Sequence, residues 1–109
     1  MLLNDPQYVE AARKIGERSL REGGKTPDER FIFMFRLLTS RRPTAGEMTV
    51  LRRLYEGQLV LFKANPEGAA ALVAVGATKP DAVLNPVELA ASTALASTLL
   101  SFDEAIQKR

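Results

Sequence analysis

Proline position constrains this chain more than any other feature. Four prolines sit directly after a residue that caps helices well: Asp5-Pro6, Thr26-Pro27, Asn65-Pro66 and Asn85-Pro86. Proline is tolerated at the first helical position because the N–H there has no intrahelical partner. The preceding Asp, Thr or Asn side chain can accept a hydrogen bond from a free backbone N–H of the first turn. A fifth start falls at Thr44, just after Pro43. Capping-box spacing supports several starts: Thr26 with Glu29, Thr44 with Glu47, Asn85 with Glu88, and Ser101 with Glu104. Stops are marked by Gly23-Gly24 and by Gly76, which suit left-handed C′ positions.

These marks predict helices at 6–22, 27–39, 45–64, 66–75 and 86–100, then a last short helix at 102–107. A loop from Ala77 to Leu84 joins the fourth to the fifth. No apolar/polar alternation runs between turn signals, so no strand is expected. The fold class is therefore all-α, a compact orthogonal bundle of five to six short helices. With 109 residues it makes one domain.

Helical spacing assigns the faces. Val9, Ala12, Gly16 and Leu20, with Tyr8 and Ile15, form one stripe of the first helix. Glu10–Lys14 and Glu17–Arg21 are i,i+4 pairs expected on its solvated side. The second helix is apolar nearly all round, from Phe31 through Phe35 to Leu37-Leu38, and is expected at the centre of the bundle. If some of that surface is free, Ile32, Phe33 and Leu37 form a partner-docking patch. In the third helix Gly57 interrupts an apolar series, which predicts close approach of another helix. The fifth is uncharged from Leu89 to Leu100 and rich in alanine, suited to tight packing on the second or third. That run is too short to cross a bilayer.

Chemistry is restricted by what is missing. The chain has no cysteine and no histidine. That excludes a disulfide framework, a Cys/His zinc site, a haem-attachment motif, a thiol nucleophile and an imidazole base, and no cofactor is expected. Three clusters remain. Ser101, Asp103, Glu104 and Lys108 could pair a nucleophile with a base, but a helix N-terminus with acids in its first turn accounts for them. Asp28-Glu29 has the same explanation and too few oxygens for a cation. Arg36, Arg41, Arg42, Arg52 and Arg53 could bind nucleic acid or another anionic ligand. Against this, residues 1–53 carry eleven basic and seven acidic side chains, a surplus of only four. The arginines near the C-terminus of the second helix are expected to satisfy its last carbonyls or to pair with Glu47, Asp28 and Glu29.

Three segments carry a resemblance: Leu3-Asn4-Asp5-Pro6-Gln7-Tyr8-Val9-Glu10-Ala11-Ala12-Arg13, then Phe35-Arg36-Leu37-Leu38-Thr39 running into Arg41-Arg42-Pro43-Thr44, and Leu84-Asn85-Pro86-Val87-Glu88-Leu89 with Leu99-Leu100-Ser101-Phe102-Asp103-Glu104. Nearly the whole chain in this way resembles the C-terminal region of the planctomycete-specific domains of unknown function found with haem-c-type domains. The resemblance implies a C-terminal helical domain of a larger multidomain protein in the cell envelope or periplasm. The opening residues, Met1 to Pro6, lack the basic flank and apolar run of a signal peptide. The functional expectation is a non-catalytic structural or interaction module, docking on its parent protein or on a second copy of itself.

Overall fold

The computed structural model describes the backbone of residues 6–74 and 84–107, and the side chains of residues 9–74 and 84–100. Among these residues the chain is an all-α bundle without strands. Its elements are α1 (Pro6–Glu22), α2 (Pro27–Thr39), α3 (Ala45–Ala64), α4 (Pro66–Val73) and α5 (Pro86–Gln107).

The caps act as their residue types dictate. Thr26 Oγ1 accepts from the Glu29 N–H at 3.2 Å, and Asn65 Oδ1 from the Gly68 N–H at 3.1 Å. Asn85 Oδ1 accepts from Val87 and Glu88 at 2.8 and 3.2 Å. The reciprocal box closes at Thr44: its Oγ1 accepts from the Glu47 N–H at 3.2 Å, and Glu47 Oε1 accepts from the Thr44 N–H at 2.8 Å. Glu29 turns instead to the Lys25 N–H at 3.1 Å, so the box expected at Thr26 is only half formed. After α1 the glycine pair serves its turn at the second residue, with φ +122° at Gly24. The expected caps at Asp5 and Gly76 lie outside the described residues.

Two boundaries differ from the sequence expectation. α4 ends at Val73 rather than 75. α5 runs unbroken to Gln107, so Ser101 lies inside a helix and starts none. A mid-helix hydroxyl does not force a break, because it can bond the carbonyl one turn back. Thr93 and Thr98 do this within α5, with bonds of 2.7 Å to Leu89 O and 3.0 Å to Ala94 O.

The centre of the bundle is α5, not α2. α5 packs against all four other helices, most extensively against α1. Leu89, Ala90, Ala91, Ser92, Thr93, Leu95 and Ala96 are all buried. Small side chains on several faces let neighbouring backbones close in from more than one direction. α2 contributes Phe31, Met34 and Phe35 to the main core, with Leu51 and Tyr55 of α3 and Leu95 and Leu99 of α5. Burying each large side chain is worth about 1.5–3 kcal/mol. Phe31 and Tyr55 meet as a tilted ring pair at 5.1 Å. A second cluster joins Ala69 and Val73 of α4 to Leu89 and Ala90. The radius of gyration is 13.0 Å, about that of a compact chain of this length.

Close approach occurs at Gly16, not at Gly57. A Cβ on Gly16 would lie 3.2 Å from Ser92 Cβ and from the Thr93 backbone nitrogen, whereas one on Gly57 would meet nothing within 4 Å. The charged side of α1 is not wholly solvated either. Arg13 is 1% exposed and Glu17 is buried, while Lys14 and Arg21 face water. The Arg13 guanidinium donates to the Val73 carbonyl at 2.9 Å.

Candidate functional site

α2, α3 and α5 enclose an apolar groove of about 240 Å³. Phe35 forms its floor from α2. Gly46, Val50, Leu51 and Leu54 line it from α3, and Thr98 and Leu99 from α5. Phe35, Leu51 and Leu99 are core residues seen from outside, whereas Val50 stands 54% exposed at the rim. The volume is below the roughly 300–1,000 Å³ of pockets that enclose drug-sized ligands. Sequence reasoning missed this groove. Its one signal was Val50, an apolar residue off the buried stripe of α3.

The docking patch expected on α2 is divided. Ile32 packs against the main core, and both Ile32 and Phe33 are half-buried. Leu37 is 42% exposed. Phe33 lies between two shallow depressions. One holds Leu37, Arg36 and Ser40; the other holds Ile32, Arg36, Arg42, Gly23 and Glu29. The Arg18 guanidinium sits 5.6 Å from the Phe33 ring centre. The three residues do not form one continuous apolar surface; the arginines of this side interrupt it.

Two of the five candidate anion-binding arginines are already engaged. Arg41 grips Glu47 with two bonds of 2.8 Å, and its guanidinium lies 4.9 Å from the Phe35 ring centre. Arg52 grips Asp28 in the same two-pronged way, at 3.0 and 2.8 Å. Hydrogen bonds from Arg41, joined by the Thr44 N–H, push the Glu47 carboxyl down to about 2. Hydrogen bonds from Arg52 likewise hold Asp28 below the usual carboxylate range. Planar carboxylates match the guanidinium fork, so an incoming phosphate would have to displace them. Arg36, Arg42 and Arg53 remain exposed.

Burial raises the Tyr55 hydroxyl above its ordinary range, although a hydrogen bond with Ser92 opposes this. Among the described residues no group of three acidic side chains is placed to hold a metal ion. No helix among them is long and apolar enough to cross a membrane. The side chains of Ser101, Asp103, Glu104 and Lys108 lie outside the described residues.

Comparison with protein-family models, with curated proteins and with solved structures finds no match for this chain.

Proposed function

We propose that this chain is a non-catalytic helical interaction module. It docks on the remainder of a larger protein or on a second copy of itself. One observation carries the reading: the groove between α2, α3 and α5 opens core residues to the surface and is rimmed by an exposed valine. An apolar groove edged by the polar Glu47 and Thr98 has the apolar centre and polar rim that seat the side chains of a partner. The resemblance to planctomycete C-terminal domains supports a parent protein as the partner.

The test is direct. The separately expressed remainder of the parent reading frame is titrated into this chain by calorimetry. Binding is expected, and Thr98→Arg should weaken it at least about tenfold by filling the groove. Thr98 is exposed, so the core is untouched. Absence of binding to the parent, together with a strictly monomeric chain, would remove this reading.

The competing reading, an anionic-ligand or nucleic-acid binder, is left with Arg36, Arg42 and Arg53 as exposed cations outside the two ion pairs. A salt-dependent mobility shift on duplex DNA or RNA would favour it. No shift at low ionic strength would remove it.

A further inference from the structure

α3 presents a face that nothing else among the described residues covers. At 3.6 residues per turn, positions 46, 50, 53, 57, 60 and 64 fall within an arc of about 80°. That arc lies opposite the buried Met48, Leu51 and Tyr55. Val50 and Val60 stand 54% and 67% exposed on it, and Leu61 at its edge is 61% exposed. Gly46 and Gly57 have open space where a side chain would be. Gly57 weakens the interior of the helix relative to alanine, and no neighbour among the described residues needs the gap.

We propose that this face pairs with the same face of a second copy, the two α3 helices running antiparallel across a two-fold axis at residue 55. The proposal rests on the reading of the chain as an interaction module and names the partner. The spacing of the face is symmetric about residue 55. Gly46 therefore meets the partner's Ala64, and Val50 meets the partner's Val60. Arg53 crosses the partner's Gly57, where the missing Cβ leaves room for the guanidinium. The partner's Glu56 lies one position away, so each copy's Arg53 faces the other's Glu56, and the symmetry makes two such pairs. Within the chain Arg53 has no ion pair among the described residues. A parallel arrangement in register would set Arg53 against the partner's Arg53, and like charges at an interface are disfavoured. A helix of 20 residues gives a seam of about 30 Å.

Sedimentation equilibrium on the full chain tests this. A reversible dimer is expected in the micromolar range, weaker at high salt. Gly57→Gln fills the gap while improving helix propensity. It should raise the melting temperature of dilute protein yet weaken dimerisation by at least about tenfold. Arg53→Glu and Glu56→Arg should each weaken the homodimer, and mixing the two variants should restore a one-to-one dimer. A chain monomeric at millimolar concentration, a dimer indifferent to Gly57→Gln, or a mixture no tighter than its components would each overturn the pairing. Val60→Arg separates this from the groove, which Val60 does not line. A dimer lost with Val60→Arg supports the α3 seam. A dimer that keeps its strength with Val60→Arg and Gly57→Gln but is lost with Thr98→Arg overturns the seam and leaves the interaction module standing.

Discussion

Arg13 of α1 crosses the bundle to donate a 2.9 Å hydrogen bond to the carbonyl of Val73, the last residue of α4. That carbonyl is among the four at a helix C-terminus that have no intrahelical donor. A cation there also meets the negative end of the helix dipole. Arg13→Ala removes the donor, the charge and the buried stem together, and should cost about 3 kcal/mol in urea unfolding. Arg13→Met keeps most of the packing and should recover about half of that loss. Equal losses in the two variants would show that the guanidinium alone matters.

Gly16 and Gly57 make a matched pair of helix glycines with opposite surroundings. A Cβ at Gly16 presses on the backbone of α5, which cannot retreat without reopening the core. Gly16→Val should therefore destabilise by about 2 kcal/mol through overpacking. Gly57→Ala meets open space and should stabilise the dilute chain by up to about 1 kcal/mol. Thermal melts at low concentration read both, and the same sign for the two would contradict the geometry.

The sequence placed helix ends well because each end is a local matter. Thr44 and Glu47 need only each other to close a box, and Asn65-Pro66 needs only its own next turn. What it misjudged depends on distant partners. Glu17 reads as half of a solvated i,i+4 pair and is buried instead, and the burial of Arg13 is set by a helix terminus 60 residues away. α2 carries the larger apolar side chains, yet α5 takes the centre because its alanines and serines admit backbones on several sides. The groove was illegible for a related reason. Phe35, Leu51 and Leu99 all have core spacing, and whether the core is open at one end is decided by the angle between helices, not by any one of them. The pairing of Arg41 with Glu47 was legible, because the acid at the start of α3 stands close to an arginine in the adjoining turn, whereas that of Arg52 with Asp28, 24 residues away on another helix, was not.

The Glu47 box gives a pH dependence with a definite sign. Its carboxyl lies at about 2 in the folded chain against 4.5 ordinarily. A depressed folded value means that the ionised form is favoured by folding. The contribution is fully present above about 4.5 and is lost as pH falls through about 2. The group is partly solvated, so screening limits the effect to about 1 kcal/mol. Wild type should exceed Glu47→Gln in stability by that amount at neutral pH. The gap should close between those two limits and shrink in high salt. Urea midpoints measured across the acid range check it, and a gap that widens on acidification would refute the assignment.

Ser40 ends α2 in the left-handed conformation, with φ 64° and ψ 16°, and its N–H donates to Arg36 O at 2.9 Å. Glycine is the usual residue at such a position. An L-residue there costs about 1–2 kcal/mol relative to its preferred conformation. Ser40→Gly relieves that strain, while the extra freedom of glycine in the unfolded chain offsets part of the gain. The net expectation is stabilisation by about 0.5 kcal/mol. Ser40→Ala keeps the strain and should bring no gain. Chemical denaturation of the three proteins side by side decides it. Should Ser40→Gly prove no more stable than Ser40→Ala, the left-handed turn between α2 and α3 is not where this chain stores strain.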